Sequence, residues 1–229
     1  MSILIFMKTK SRHQRKSAAR EKEPGRRQKN KEETKRRILA AALKLFQEKG
    51  LEGTTTKEIS ERAGIAEGTL FNYFKTKEDL ALYFFQKETE DLILWYRAEK
   101  RLQKAPVAEK LFAIMHRQLE YIAPYEDFIG AVFYRSLQPT STLSPLSLES
   151  QEMRLKYLLF IREILVEAED KGEIPPLGGL GAYAVGLFYV GLVTHWLHDR
   201  SRGKQKTTAL LDRALNVAAR LVKKGGWEW

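Results

Sequence analysis

The chain contains no cysteine among its 229 residues. A disulfide framework, a thiolate metal site and a cysteine nucleophile are therefore all excluded. The absence of cysteine is typical of a protein in a reducing compartment, and we expect a cytoplasmic location. The sequence also lacks the alternating apolar and polar runs of half-buried strands, internal repeats and a glycine-rich nucleotide loop.

Candidate catalytic and metal-binding side chains are also few. The closest approach to a metal site is His195 and His198 with Asp199, but histidines at a helix end more often cap the helix or face solvent. The other two histidines are His13 and His116. Neither a Ser-His-Asp arrangement nor a carboxylate pair can be located. We therefore expect no catalytic residue, no metal and no cofactor.

Positive charge is concentrated at the amino terminus. Residues 1–37 hold 14 lysines and arginines against four acids, whereas residues 38–229 carry a net charge of only +1. We predict a disordered basic arm over residues 1–31, either solvated or reaching along nucleic-acid phosphates or into a minor groove. The first six residues, MSILIF, are too short for a signal-peptide core.

The stretch from Thr54 to Phe74 has the strongest local signals. Thr55 and Glu58 have the spacing of a capping box, so a short helix begins there. Ile59 and Ala63 give that helix an apolar face, and Gly64 ends it, because glycine readily adopts the left-handed conformation.

A second helix is predicted from about Ala66 to Tyr73, with Leu70 and Phe74 facing the core. Two helices across a glycine-containing turn predict a helix-turn-helix, whose second helix fits the DNA major groove. Thr76 has the position of an N-cap for a third, longer helix running to about Arg101.

The rest of the chain is predicted to be helical and amphipathic. A helix over Glu33–Lys49 precedes the helix-turn-helix. The three predicted regions are the basic arm (residues 1–31), the domain that contains the helix-turn-helix (residues 32–78) and a larger helical domain (residues 79–229). The fold class is all-α, with 43% apolar residues to build its core. The helices predicted after Lys104 cover Ala105–Ala123, Tyr125–Leu137, Leu148–Lys171, Leu177–Leu197 and Thr207–Lys224.

The segment Leu177–Leu197 has no Asp, Glu, Lys or Arg in 21 residues. It passes a crude length test for a membrane helix, but its glycine-rich start shortens the apolar part. A helix that is apolar all round is equally compatible with burial in a soluble dimer. We favour the dimer and expect no membrane partner.

The residues from Thr34 to Lys87 resemble the DNA-binding domain of tetracycline-repressor-type (TetR/AcrR) bacterial regulators. The resemblance rests on ordered motifs: RRILAAALKLFQEKG, TTT-x-EI, AG, G-T-L-x-x-Y-F and K-x-K-E-x-L. It implies a homodimeric regulator that binds a pseudo-palindromic site in double-stranded DNA, with repression the expected effect. By the same resemblance, helices Leu177–Leu197 and Thr207–Lys224 would form the bundle between subunits.

The resemblance also places residues against DNA. Gly68 would let the backbone approach, Thr69 and Asn72 offer groups to base edges, and Tyr73 offers one to phosphate. Thr55, Thr56 and Lys77 are phosphate candidates, and for Thr55 and Thr56 the alternative role is capping alone. The full predicted set is Thr55, Thr56, Glu67, Gly68, Thr69, Phe71, Asn72, Tyr73 and Lys77. The sequence departs from the family's pattern at Ala66, which lacks a capping hydroxyl, at the acidic Glu67, and at Phe71, where tyrosine is frequent.

The larger domain would bind a small apolar or amphipathic effector. Its dense aromatic residues predict a pocket lined by Trp95, Phe112, His116, Tyr121, Phe133, Tyr134 and Tyr157. Two other classes remain as alternatives: a binder of DNA driven by charge or tethered to a membrane, and an enzyme built on a helical bundle.

Overall fold

The computed structural model describes residues 25–144 and 147–224, and no strand occurs in these ranges. The predicted all-helical fold is confirmed. The chain divides into two compact units, Met1–Arg36 and Arg37–Trp229. Two short 3₁₀ helices, Ala123–Tyr125 and Arg202–Lys204, accompany ten α-helices in the described part. The α-helices are α1 (Arg26–Lys49), α2 (Thr56–Ala63), α3 (Glu67–Phe71), α4 (Lys77–Ala98), α5 (Lys100–Gln103), α6 (Val107–Ile122), α7 (Glu126–Ser136), α8 (Gln151–Asp170), α9 (Gly178–His198) and α10 (Gln205–Lys224).

The first unit is described only from residue 25, and α1 begins at the next residue, Arg26. The Gly25 carbonyl accepts from the amides of Gln28 and Lys29, so the helix starts seven residues before the predicted Glu33. Residues 26–31 are therefore helical, although we predicted them as part of the disordered arm. Side-chain pairs at helical spacing account for the longer helix, including Gln28 with Glu32. The rest of the predicted arm, residues 1–24, lies outside the described residues.

The helix-turn-helix has the predicted local signals. The capping box of α2 is complete, and Gly64 ends the helix with a φ of 65°. Helix α3 is shorter than predicted and ends at Phe71. The amides of Asn72 and Tyr73 bond to carbonyls three residues back, at 3.2 and 2.9 Å, which tightens the last turn.

Helix α4 begins with a second complete capping box, formed by Thr76 and Asp79. It ends at Ala98, three residues before the predicted Arg101, because Glu99 leaves the helical region with a ψ of 75°. The Gln103 amide compensates by donating to the carbonyls of Tyr96 and Arg97. The remaining predicted helices are present, with ends displaced by three residues or fewer.

Two apolar clusters make up the core of the second unit. The first joins α1–α3 and the start of α4 to α7 and to parts of α6, α9 and α10. The second joins the rest of α4 to α6, α8 and the start of α9. Phe46 of α1 stacks on Phe128 of α7 with ring centroids 4.9 Å apart, and Phe84 of α4 meets the same ring edge-on. All three side chains are fully buried. The helix-turn-helix therefore shares its core with the larger domain.

Gly64 tests the turn between α2 and α3. An alanine there must adopt a left-handed conformation, which costs about 1–2 kcal/mol. We expect Gly64→Ala to lower the free energy of unfolding by that amount, measured by urea denaturation at matched protein concentration.

Gly68 is the matched control for this substitution. It lies within α3, and a Cβ built there meets no atom within 4 Å. Gly68→Ala should leave stability unchanged or raise it by up to about 1 kcal/mol. Equal losses of unfolding free energy in both variants would show that the left-handed conformation at Gly64 is not the reason why glycine is needed there.

Candidate nucleic-acid interface

Helix α3 buries one face and exposes the other. Leu70 is 1% exposed and packs in the core, with Phe74 buried just beyond the helix. Gly68, Phe71 and Asn72 are exposed, whereas Thr69 and Tyr73 are half-buried. The structure therefore brings these five predicted residues to one short segment whose solvent side carries both polar and apolar groups.

The start of α3 is fixed by a contact between helices. Ala66 provides no side-chain cap, as expected from the sequence. Instead, the Thr56 hydroxyl donates to Glu67 Oε1 at 2.8 Å, which ties the first residue of α3 to the first residue of α2. Glu67 and Thr56 thus orient α3 on α2, in addition to any contact with a ligand.

Thr55 takes part in the capping box that begins α2. Its hydroxyl accepts from the Glu58 amide and donates to the Glu58 carboxylate. A hydrogen bond from Lys49, together with those from Thr55, lowers the pKa of Glu58 to about 2. The exposed Thr55 side chain is therefore held in place at the positive end of a helix.

Lys77 is directed towards the protein. Its ammonium donates to the carbonyls of Leu51 and Thr54, at 2.7 and 3.1 Å, and so holds the loop between α1 and α2. The sequence had suggested a phosphate contact for this residue. The exposed lysines flanking the same surface are Lys57 and Lys75, which the sequence analysis did not single out.

The helix-turn-helix is also attached to the larger domain through α7 and the turn before it. Gln47 donates to the Pro124 carbonyl at 2.7 Å. Arg135 of α7 forms ion pairs with Glu52, in the loop before α2, and with Glu78 in the first turn of α4. These polar contacts, together with the Phe46–Phe128 stack, hold α7 and the turn before it against the helix-turn-helix.

The seven predicted pocket residues fall into separate contacts. Phe112 stacks on His116, and Arg117 lies 4.6 Å over the Trp95 ring. Phe133 meets Tyr134 edge-on, and Tyr134 is exposed. Tyr121 packs on Phe84, and Tyr157 lies near Tyr189. That these residues line one pocket remains a prediction.

A buried polar cluster at the centre of the larger domain was missed by the sequence analysis. Glu88 of α4 and Gln118 of α6 are 6% and 3% exposed, and Gln118 acts to lower the pKa of Glu88. The Tyr157 hydroxyl donates to Gln118 Oε1 at 3.3 Å. Burial raises the pKa of Glu88 to about 7. A signal was present, since Glu88 lies four residues from both Phe84 and Leu92 on the buried stripe of α4.

The histidines at the end of α9 have structural partners. His195 contacts the Thr207 hydroxyl, and His198 contacts the Thr194 carbonyl. Asp199 accepts from Ser201 and Thr207, which lowers its pKa and fixes the start of α10. Within residues 25–144 and 147–220, no group of three potential metal ligands is found.

Comparison with known proteins identifies the family on both parts of the chain. The family described as "Bacterial regulatory proteins, tetR family" matches residues 38–84. The family described as "Tetracyclin repressor-like, C-terminal domain" matches residues 110–228, more than half of the chain.

Individual relatives agree with this assignment. The fatty acid metabolism regulator protein of Bacillus subtilis is 28% identical over 60% of this chain and 69% of its own length. The regulator SrpR of Pseudomonas putida is 25% identical over 80% of this chain and 83% of its own. The crystal structure of Bacillus subtilis FadR with stearoyl-CoA has a TM-score of 0.60 and 25% identity, covering 83% of this chain and 98% of that one. The chain belongs to the TetR family of bacterial DNA-binding transcriptional regulators, which are not enzymes.

Proposed function

We propose that this protein is a cytoplasmic repressor whose dimer binds a pseudo-palindromic operator and releases it on binding a small amphipathic ligand. The observation that carries the proposal is the exposed face of α3, held against α2 by the Thr56–Glu67 bond and the buried Leu70. A helix presented in this way enters a major groove, and two of them on a two-fold axis read two half-sites.

Within that groove, the proposed contacts divide by chemistry. Asn72 is exposed at the end of α3, where its amide can pair with an adenine edge. Gly68 lets the backbone approach the duplex, and Thr69 offers a hydroxyl and a methyl group. Phe71 is exposed and presents an apolar edge to thymine methyl groups. Glu67 adds an acceptor for cytosine N4 at a cost in phosphate repulsion.

Phosphate contacts come from groups around the edge of this surface. Thr55 and Thr56 lie at the start of α2, and the phenol of Tyr73 follows α3. The exposed Lys57 and Lys75 are further candidates. Lys77 acts mainly by holding the loop at Leu51 and Thr54, because two of the three N–H donors of its ammonium group already bond to carbonyls there.

The proposed dimer surface is built from α8 and α9. Helix α9 exposes Leu180, Tyr183, Leu187 and Val190 along one face, with Leu180 and Leu187 at 80% and 72% exposure. Helix α8, which packs beside α9, exposes Leu155, Leu159 and Val166 at matching helical spacing. Regulators of this family act as dimers, and an unpaired apolar stripe of this kind needs a partner.

This proposal changes one of the two helices named from the sequence. Helix α10 packs on α6 and buries Leu211, and the charged Arg213 and Arg220 accompany its exposed Leu210 and Val217. We therefore favour α8 over the predicted Thr207–Lys224 helix as the partner of α9.

The same dimer surface accounts for the hydropathy of α9. By length and composition alone this helix could cross a membrane, with a mean hydropathy of 1.4 over 18 residues. Its other face is already packed, since Leu192 and Trp196 are buried. A second copy of α8 and α9 would cover the exposed face without a bilayer.

The contacts around α7 suggest how a ligand would act. Helices α4 and α6 enclose the buried polar cluster. Arg135 of α7 forms ion pairs with Glu78 of α4 and with Glu52 in the loop before α2, and so links α4 and α7 to the helix-turn-helix. A ligand that displaces α4 from α6 would therefore change the separation of the two α3 helices. It can do so only by binding that displaced state more tightly. The stearoyl-CoA complex of a relative supports an amphipathic ligand class.

Asn72 tests the reading of DNA. We expect Asn72→Ala to weaken binding to DNA from upstream of the protein's own gene by about tenfold to a hundredfold, because one base contact is worth about 1–3 kcal/mol. Binding to scrambled DNA should be unchanged, as measured by fluorescence anisotropy over a salt series. Asn216→Ala, on the exposed side of α10, is the control and should match the wild type.

A variant lacking residues 1–24 separates specific from charge-driven binding. It keeps all of α1 while removing much of the basic arm. We expect it to retain the preference for upstream over scrambled DNA, with lower affinity for both and a shallower salt dependence. Loss of all binding with the arm would favour the charge-driven alternative.

Leu159 and Val217 test the dimer surface. They are similarly exposed, at 60% and 53%, on α8 and α10. We expect Leu159→Glu to dissociate the dimer in analytical ultracentrifugation, because it places charges at the centre of an apolar interface. Val217→Glu should leave the dimer intact. The reverse result would favour α9 with α10 as the interface.

A further inference from the structure

The core of the larger domain is interrupted where its two apolar clusters meet. Glu88 lies on α4 between Phe84 of the first cluster and Leu92 of the second. Gln118 occupies the equivalent place on α6, between Ile114 and Leu119. A polar group buried there is costly unless its hydrogen bonds are satisfied, so its presence calls for a physical explanation.

The hydrogen bonds around Glu88 are arranged to support an anion. The Tyr157 hydroxyl donates to Oε1 of Gln118, and Gln118 acts to lower the pKa of Glu88, as a donor to its carboxylate would. The Thr89 hydroxyl lies 3.5 Å from Glu88 Oε2. Donors of this kind stabilise a carboxylate rather than a neutral acid.

Among the residues that the structure describes, no positively charged group acts on Glu88 beside these donors. The groups that act on the pKa of Glu88 are Gln118, Thr89 and Asp91, and Glu88 in turn raises the pKa values of Tyr121, Tyr157 and Tyr189. None of these groups is a cation. In the described ranges, no Lys, Arg or His nitrogen forms an ion pair with Glu88. The nearby lysines, Lys87 and Lys156, pair with Glu90 instead.

We propose that Glu88, with Gln118 and Tyr157, recognises the positively charged amine of an amphiphilic ligand whose apolar body lies among the aromatic side chains at the junction of the two clusters. The half-buried Tyr157 and Tyr189, whose rings lie near each other, provide those aromatic faces, which also attract cations. This inference rests on the proposed function, in which the larger domain takes a small ligand. It differs from the relative's stearoyl-CoA, whose phosphates are anionic.

The test compares three probes with the same twelve-carbon chain: dodecylamine, dodecanol and dodecanoic acid. Binding to the full chain is measured by calorimetry below the micelle concentration. We expect dodecylamine to bind about tenfold or more tightly than the other two. Glu88→Gln should remove that advantage and leave dodecanol binding unchanged. Glu120→Gln, an exposed acid on α6, is the matched control and should behave as the wild type.

The pH dependence has a defined sign. Because the pKa of Glu88 is about 7 in the free protein, a cation gains a charged partner as the pH rises. Dodecylamine affinity should increase about tenfold from pH 6 to pH 8 in the wild type, and not in Glu88→Gln. Equal affinity for the amine and the acid, or unchanged amine binding in Glu88→Gln, would overturn the proposal.

Folding of the variant is checked independently. Burial raises the pKa of Glu88 above its usual value of 4.5, so the wild type loses stability as the pH rises between 4.5 and about 7. The melting temperature of Glu88→Gln should therefore exceed that of the wild type at pH 8 by more than it does at pH 5.

Lauroyl-CoA and an operator-release assay separate this inference from the proposed function. If lauroyl-CoA releases DNA but dodecylamine binds no more tightly than dodecanol, the cation site is contradicted and the ligand-responsive repressor is supported. Glu88-dependent binding of dodecylamine without any effect on DNA would confirm the site and contradict the response.

Discussion

The packing of Phe46, Phe84 and Phe128 is the constraint on which the rest of the structure depends. These rings come from α1, α4 and α7, and burying them makes one continuous core from the helix-turn-helix to the larger domain. Close-packed aromatic rings tolerate few alternative arrangements. A displacement of α4 or α7 must therefore move α1, and with it the helix-turn-helix whose α3 we propose reads DNA. Arg135 and Gln47 add polar contacts between the helix-turn-helix and the larger domain at the same junction.

Polar groups have different roles at the surface and in the interior of this protein. At the surface a few hydrogen bonds fix α3, whereas in the interior a buried carboxyl group lowers stability. The short α3 is held by one bond from Thr56 to Glu67 and by the buried Leu70, which leaves Gly68 and Phe71 exposed. Inside the larger domain, Glu88 keeps a carboxyl group at 6% exposure on the apolar stripe between Phe84 and Leu92. Burying a carboxyl group without a cation beside it is costly, and this cost is the basis of the cation site that we propose.

Local sequence was sufficient for the elements that end within a few residues of their own signals. The capping boxes at Thr55 and Thr76 and the left-handed turn at Gly64 depend on contacts no more than four residues apart, and all three were predicted. The apolar spacing of Ile59 and Leu70 likewise placed both in the core. Because these interactions are local, the all-α class and the helix-turn-helix followed from the chain alone, as did the family through its ordered motifs.

Tertiary structure decided what depends on residues far apart in the chain. The direction of Lys77 follows from carbonyls more than twenty residues away, and the Glu88 cluster assembles from three helices. Which helix accompanies α9 at the surface depends on α10 packing against α6, which spacing within α10 cannot reveal. Helical periodicity tells which residues of a helix share a face. It does not tell which other helix covers that face, because that depends on the path of the whole chain.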